Sequence, residues 1–255
     1  MGRYRTSDLS AVWVKTQSVP VGSPQLTWSK VVADASGGVA VMGTMNAGAL
    51  DFGGGARTAP NFGTTVVVRY SSTGAYLWDT TFDAKNFTLA SAMAFDAAND
   101  LYVAQTFSNQ LFVGTTRYLA TTRSILFAKY AGATGAVLSA KKLGDAGMFA
   151  VQALDVGSDG DVFLQGTFSG LAGIGDVPLP RTSGDTPWFF ARLSPAGILR
   201  SVKTSTANLP HAYTFDRGRS RFQFTYAGIA TNVAGNWGNG IAPNGGSALV
   251  AVTVP

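Results

Sequence analysis

The chain of 255 residues contains no cysteine and only one histidine. Without cysteine, neither disulfide bonds nor thiolate metal sites can form. The single imidazole, His211, cannot supply the two or three histidine ligands that a zinc site commonly uses. It follows Pro210 with no other ligand type at a suitable spacing, so we interpret it as an ordinary loop residue.

Charged residues are also scarce, at 13% of the chain against the ~25% usual in globular proteins, and the net charge is +5. The positive balance favours weak attraction to anionic surfaces. The basic residues form no stripe of the kind that binds nucleic acid, and we expect no such partner. Arg217, Arg219 and Arg221 precede Phe222 and Phe224, but this alternation is typical of a strand with one buried face.

Long apolar runs are missing too. No run reaches the ~18 residues of a membrane span, so we expect none. Residues 1–9 contain arginines without an apolar segment behind them, which predicts no signal peptide in this chain. A surface of Thr, Ser, Ala and Gly is typical of extracellular or cell-envelope proteins. We expect that location, and a cytoplasmic one stays open.

What the chain does contain is a pattern that recurs about every sixty residues. A glycine follows a bulky apolar residue at four positions, 61, 61 and 63 residues apart: Phe52-Gly53, Val113-Gly114, Ile174-Gly175 and Trp237-Gly238. A fixed period of this size predicts a repeat protein, in which each unit buries its faces against its neighbours.

Each repeat predicts four short strands, here named a to d, which in the first repeat are Leu26–Asp34, Gly38–Met45, Thr64–Tyr70 and Ala75–Phe82. In the first repeat, strand b contains the uninterrupted apolar run Val39–Met42, which favours a strand buried on both faces. The repeats are expected at residues 26–82, 88–142, 149–204 and 211–255.

The fourth repeat has no strand d of its own. Ser10–Trp13 matches the strand d sequence Ala75–Trp78, so we predict that an N-terminal strand within 8–17 completes the fourth unit by pairing with residues 248–254. Such closure makes one domain, 1–255, and covers the edges of an open array. A chain closed in this way is expected to be a monomer.

The first repeat carries the motifs Asp34-Ala35-Ser36-Gly37, Gly43-Thr44-Met45, Asp51-Phe52-Gly53-Gly54, Val68-Arg69-Tyr70 and Gly74-Ala75-Tyr76-Leu77-Trp78. These motifs resemble the SBBP-type, seven-bladed β-propeller repeat family of bacterial proteins, many of them secreted. The resemblance implies an all-β propeller, here with four four-stranded blades, the last closed by the N-terminal strand. Because the family name implies seven blades, two joined chains or a stretch of a longer array are the alternatives.

Aspartates recur at the end of strand a: Asp34, Asp96, Asp155 and Asp216. We interpret them as turn residues whose carboxylates accept backbone hydrogen bonds. The richest copy contains Asp155, Asp159 and Asp161, which makes these three the candidate cation ligands. It lacks the bidentate Glu of an EF-hand loop.

The best candidate for a ligand contact is Trp237, which lies between Asn236 and Asn239 in a predicted loop. A tryptophan with amide neighbours can stack on a sugar or contact a protein partner. The alternative is that Trp237 fills the gap between two blades, as Phe52, Val113 and Ile174 would at the matching positions.

No nucleophile elbow, phosphate-binding loop or dinucleotide fingerprint is present in the sequence. We therefore expect no cofactor and no enzymatic activity. The prediction is a binding or scaffolding module of a bacterial envelope or secreted protein, with a protein or carbohydrate ligand. A lectin-like carbohydrate binder and an enzyme with its site at the central channel are the alternatives.

Overall fold

A computed structural model describes residues 2–5, 7–16, 25–46, 48–59, 63–82, 87–180, 186–204, 226–230 and 248–252. The regular structure of these ranges is entirely β-strand, which confirms the all-β prediction. No helix in these ranges has the length and apolarity to cross a membrane. The strands are β1 (Gly2–Tyr4), β2 (Ala11–Val14), β3 (Gln25–Ala33), β4 (Val39–Asn46), β5 (Gly48–Asp51), β6 (Ala56–Ala59), β7 (Thr64–Tyr70), β8 (Tyr76–Phe82), β9 (Phe87–Phe95), β10 (Leu101–Val113), β11 (Thr116–Tyr130), β12 (Val137–Lys142), β13 (Gly144–Val156), β14 (Val162–Ile174), β15 (Val177–Pro178), β16 (Trp188–Leu193), β17 (Leu199–Thr204), β18 (Tyr226–Ala230) and β19 (Ala248–Val252).

The strands form three complete antiparallel meanders of four strands. Unit 1 has the order β3-β4-β7-β8, unit 2 the order β9-β10-β11-β12, and unit 3 the order β13-β14-β16-β17. A parallel bridge between Arg123 and Met148 joins units 2 and 3. Unit 3 begins at Gly144, ahead of the predicted start at residue 149.

The central strands of each unit are buried on both faces, which confirms the prediction for strand b. Successive side chains of a strand point to opposite faces. Val67 therefore packs in the core between units 1 and 2, whereas Val66 and Val68 lie on the opposite face of unit 1. This arrangement explains why these strands are continuously apolar rather than alternating.

Two apolar cores hold the units together. The core between units 1 and 2 includes Met42, Trp78 and Phe82 from unit 1, with Val103 and Leu126 from unit 2. A second core, between units 2 and 3, has Ala104, Ile125 and Phe127 on one side. Its other side includes Leu164, Phe168 and Phe189 of unit 3. The repeats thus stabilise one another face to face, as the sixty-residue period predicts.

Strands β1 and β2, the N-terminal hairpin, have the same pairing as the last two strands of each unit. In each of these strand pairs, a basic residue near the end of the first strand lies opposite a residue of the second strand. The register of the pair shifts directly after that basic residue. The facing pairs are Arg3–Trp13, Arg69–Trp78, Lys129–Ser139 and Arg192–Ser201. The hairpin is therefore the equivalent of strands c and d of a repeat.

This pairing corrects one prediction. Strand β2 was expected to pair with residues 248–254, but it pairs with β1, while β19 pairs with β18. The turn of the hairpin is closed by Arg5, whose N–H and guanidinium donate to the carbonyl and hydroxyl oxygens of Ser10 at 2.9 and 2.8 Å. A partner so near in sequence costs little loop-closure entropy.

The N-terminal hairpin contacts unit 1, and unit 1 contacts unit 2, through the same kind of tryptophan hydrogen bond. The indole N–H of Trp13 donates to the carbonyl of Ser72 in unit 1 at 3.1 Å. In the same way, the indole N–H of Trp78 donates to the carbonyl of Gly132 in unit 2 at 2.8 Å. The N-terminal hairpin therefore lies against unit 1 as unit 1 lies against unit 2.

A glycine in each of these turns leaves the space that the aromatic ring occupies. A Cβ atom at Gly74 would lie 2.8 Å from the Trp13 ring, and one at Gly135 would lie 2.7 Å from the Trp78 ring. At the next junction Gly197 meets Phe127, again at 2.8 Å. The absence of a side chain is thus a packing requirement at three successive junctions.

We expect Gly135→Ala to destabilise the protein more than Gly114→Ala, by about 1–3 kcal/mol. Both glycines have positive φ, of 71° and 57°, so both variants incur backbone strain. Only Gly135 faces another side chain, since a Cβ at Gly114 would meet nothing within 4 Å. Urea unfolding of the two variants measures the difference, and equal losses would show that Trp78 does not need the glycine.

Candidate functional site

The recurring aspartates of the first two units form hydrogen-bonded turns. The carboxylate of Asp34 accepts the backbone N–H groups of Ser36 at 2.8 Å and Gly38 at 2.9 Å. The carboxylate of Asp96 accepts those of Ala98 and Asp100, both at 2.9 Å. The predicted role as turn residues is confirmed at these two positions, while Asp216 lies outside the described residues.

In unit 3 the equivalent turn position is Gly157 rather than Asp155. The N–H of Gly157 donates to the carbonyl of Asp161 at 2.8 Å, as the N–H of Asp34 donates to that of Gly38 at 2.9 Å. Asp155 precedes this turn within β13, and its carboxylate accepts the N–H of Val156 at 2.9 Å. The sequence alignment of Asp155 with Asp34 was therefore wrong.

Each unit also pairs its turn carboxylates with a basic residue of its third strand. Arg69 contacts Asp34 in unit 1. In unit 2, the Nζ of Lys129 lies 3.0 Å from a carboxylate oxygen of Asp96 and 3.1 Å from one of Asp100. These ion pairs were not predicted from the sequence, although a basic residue recurs at the end of strand c.

The same pairing occupies the candidate cation ligands of unit 3. Arg192 contacts Asp159 at 3.0 Å and Asp161 at 2.6 Å, and Arg200 contacts Asp161 at 2.9 Å. Within the described ranges, no group of three His, Cys, Asp or Glu side chains is placed to hold a metal ion. The geometry accordingly gives no support to a cation site at Asp155, Asp159 and Asp161.

These contacts shift the pKa values of Asp34 in unit 1 and Lys129 in unit 2. Burial by itself would raise the pKa of Asp34, but hydrogen bonds from Ser36, Arg69 and Gly38 lower it below its ordinary value. Burial would lower the pKa of Lys129, but its bonds to Asp96 and Asp100 raise it. Both shifts favour the charged forms, so these groups act as structural ion pairs.

The candidate ligand residues Trp237, Asn236 and Asn239 lie outside the described residues, as do His211 and residues 217–221. The matching positions of the three described repeats are all buried: Phe52, Val113 and Ile174. Val113 packs in the core between units 1 and 2, and Ile174 in that between units 2 and 3. These positions fill the junctions, which is the alternative interpretation of Trp237.

A cavity of about 480 Å³ lies between the end of the N-terminal hairpin and unit 1; we call it the junction cavity. Sequence reasoning did not find it. Its lining combines three aromatic rings with two groups of opposite charge. The residues are Val14, Lys15, Thr16, Trp28, Asp51, Phe52, Gly53 and Tyr70.

The aromatic residues form one connected part of the junction cavity. The rings of Trp28 and Phe52 meet edge to face, with centroids 5.9 Å apart. The hydroxyl of Tyr70 donates to the carbonyl of Phe52 at 3.1 Å. Burial raises the pKa of Tyr70 to about 12, so this hydroxyl stays protonated at neutral pH. The aromatic part is therefore held in place by a hydrogen bond.

The polar part is contributed by two different segments. The carboxylate of Asp51 accepts the N–H groups of Gly53 at 2.7 Å and Gly55 at 2.9 Å, which orients it. The ammonium group of Lys15 lies 5.1 Å from the centroid of the Tyr70 ring, within range of a cation–π interaction. A cation and an anion thus line the same cavity.

The other two junctions each have a buried apolar residue at one fixed repeat position. Four residues beyond Trp78 in its strand, Phe82 is fully buried in the core between units 1 and 2. The equivalent residue of unit 2, Leu143, is buried in the next core. At the same distance from Trp13 the sequence has the polar residue Gln17, which lies outside the described residues. The sequence therefore changes from apolar to polar at this repeat position.

No protein-family model matches the chain, and no curated protein has a sequence significantly similar to it. The function must therefore be inferred from the site itself.

Proposed function

We propose that the protein is a non-enzymatic binding module of a bacterial envelope or secreted protein, and that the junction cavity is its binding site. The observation that carries the proposal is the junction cavity. Among the described residues, Phe82 and Leu143 pack in the cores of the other two junctions, whereas this junction has a cavity whose lining includes Trp28, Lys15 and Asp51. Concave sites with aromatic walls and a few oriented polar groups are typical of ligand binding.

The proposed scaffold is a four-bladed β-propeller, in line with the resemblance to the SBBP-type repeats. Units 1 to 3 are three of its blades, and the N-terminal hairpin with β18 and β19 belongs to the fourth. The closure is supported by Trp13 of the N-terminal hairpin, whose ring contacts Tyr70 on the face of unit 1 that points away from unit 2.

A non-enzymatic role is supported by the use of the charged residues. Asp34, Asp96 and Asp161 all pair with basic side chains, so these carboxylates are engaged in structural ion pairs. Catalytic sites instead bring together titratable groups whose pKa values are pushed apart. Measurable hydrolysis of an ester, phosphate or glycoside substrate that is abolished by changing one carboxylate would contradict this role.

The binding proposal is tested by filling the cavity. The probes are neutral monosaccharides, free amino acids and inorganic phosphate, each tested separately at millimolar concentration. We expect at least one of these classes to raise the melting temperature of the wild-type protein. Thr16→Trp places a bulky ring in the cavity lining and should abolish that stabilisation. Thr116→Trp, at an exposed site of unit 2, is the matched control and should retain it.

A response that is equal in the wild type and in Thr16→Trp would place the binding elsewhere. The absence of any response from all three classes, checked by ligand-observed NMR, would contradict a binding function for this cavity.

A further inference from the structure

We propose that the ligand of the junction cavity is a neutral sugar ring. This inference rests on the proposed function and specifies its ligand class. Three features of the cavity lead to it: the balance of its charges, the arrangement of its aromatic residues and its position in the repeat.

The charges of the lining favour a ligand without net charge. Lys15 and Asp51 carry opposite charges and line the same cavity. An anionic ligand would therefore be repelled by the carboxylate, and a cationic ligand by the ammonium group. A ligand with both donors and acceptors but no net charge suits the two groups together, and sugar hydroxyls have both properties. The hydroxyl of Thr16 and the backbone of Gly53 add further polar partners to the same wall.

The aromatic residues provide the second half of sugar recognition. A pyranose ring has an apolar C–H face, and such faces pack on aromatic side chains whose large surfaces bind with little loss of conformational entropy. Trp28 is half-buried, so part of its ring remains accessible, while Phe52 packs edge to face against it and supports it. The hydrogen bond from Tyr70 to Phe52 fixes that support.

The junction cavity lies at a contact that is otherwise built like the contact between units 1 and 2. Trp13 repeats the junction contact that Trp78 makes one unit later, so the hairpin and unit 1 are held in the same way as units 1 and 2. The cavity is therefore not the result of a loosely attached hairpin. Its volume of about 480 Å³ falls within the ~300–1,000 Å³ of small-molecule sites.

The test is a saturation-transfer NMR titration with glucose, galactose, mannose and N-acetylglucosamine, each against the intact chain. We expect millimolar binding of at least one sugar, with the strongest transfer to the C–H protons of one ring face. Trp28→Ala and Asp51→Asn should raise its dissociation constant at least tenfold. Asn keeps the oxygen that accepts the N–H groups of Gly53 and Gly55, so the turn is preserved.

Lys141→Met is the matched control, because Lys141 occupies in unit 2 the repeat position of Lys15. It should leave the dissociation constant within twofold, whereas Lys15→Met should weaken binding. Melting curves of all variants verify that they fold. Trp237→Ala tests the other aromatic candidate for a sugar contact and should leave binding unchanged.

Each remaining outcome overturns the inference in a recognisable way. Binding of amino acids or phosphate that Thr16→Trp abolishes, without sugar binding, would retain the site and refute the ligand class. Sugar binding that is lost in Trp237→Ala but kept in Trp28→Ala would refute the location. The absence of binding by every class would refute the inference together with the proposed function.

Discussion

Replacing Arg69 with Met lowers the free energy of unfolding by about 3–5 kcal/mol, because it leaves a buried carboxylate without its counter-charge. Arg69 and Asp34 are 4% and 8% exposed and pair directly. The guanidinium also lies 4.4 Å from the centroid of the Phe95 ring and donates to the carbonyl of Tyr70 at 3.2 Å. The side chain therefore links units 1 and 2 as well as closing a turn. Urea unfolding with two spectroscopic probes measures the loss.

Two comparisons separate the buried pair from the loss of a charge as such. Removing both charges, in Arg69→Met with Asp34→Asn, should cost less than the sum of the two single changes. Arg200→Met removes a half-exposed partner of Asp161 and should cost at most about 1 kcal/mol. A loss in Arg69→Met no larger than in Arg200→Met would show that the buried pair contributes little.

The pair also predicts the response to acid. Burial would raise the pKa of Asp34, but the bonds from Ser36 and Arg69 outweigh it and lower that pKa in the folded state. The resulting stabilisation is fully present above the ordinary pKa of about 4 and is lost as the pH falls through the lowered value. Asp34→Asn should therefore flatten the decline in stability below about pH 4.

Deleting residues 1–16 lowers the melting temperature strongly, because unit 1 loses the hairpin that covers one of its ends. Trp13 alone contributes a hydrogen bond to Ser72 and a ring contact with Tyr70 at 6.3 Å. Trp13 is only half-buried, so the loss comes from the whole hairpin, whose removal uncovers the apolar face of unit 1 on which Tyr70 lies. This newly exposed apolar surface should also promote association. Calorimetry and sedimentation of the deleted and full chains measure both effects.

Closure of the chain on itself predicts that the full chain sediments as a monomer of 26.5 kDa. Twice this mass at micromolar concentration would indicate two chains that exchange their ends. A deleted chain that melts at the wild-type temperature and stays monomeric would refute the closure.

Trp13→Phe and Trp78→Phe are the milder pair of variants. Equal losses of about 1 kcal/mol would show that the two indole hydrogen bonds are equivalent.

Local features of the sequence were sufficient to predict much of the fold. The apolar run at Val39–Met42 indicated a strand buried on both faces, and the structure has it. The aspartates at 34 and 96 indicated hydrogen-bonded turns, and both turns form. These predictions succeed because strand periodicity and turn chemistry depend on residues within about four positions of one another.

Pairings between distant residues were not predictable in the same way. Asp159 and Asp161 suggested a cation site, but Arg192, more than thirty positions further along the chain, supplies the charge instead. Aligning Asp155 with Asp34 failed because Gly157 occupies that turn position, and a sequence period alone does not reveal a shift of two residues. The N-terminal strand was matched correctly to strand d, yet its partner is the adjacent β1.

By itself, the sequence determined the all-β class, the sixty-residue period and the turns, because each depends on local spacing and residue type. Only the tertiary structure decided which carboxylate meets which base and where the repeat leaves space. The junction cavity illustrates the difference. Its aromatic wall and its charges come from residues 14–16, 28, 51–53 and 70, which no local pattern groups together. They converge because the N-terminal hairpin packs on unit 1 as one repeat packs on the next.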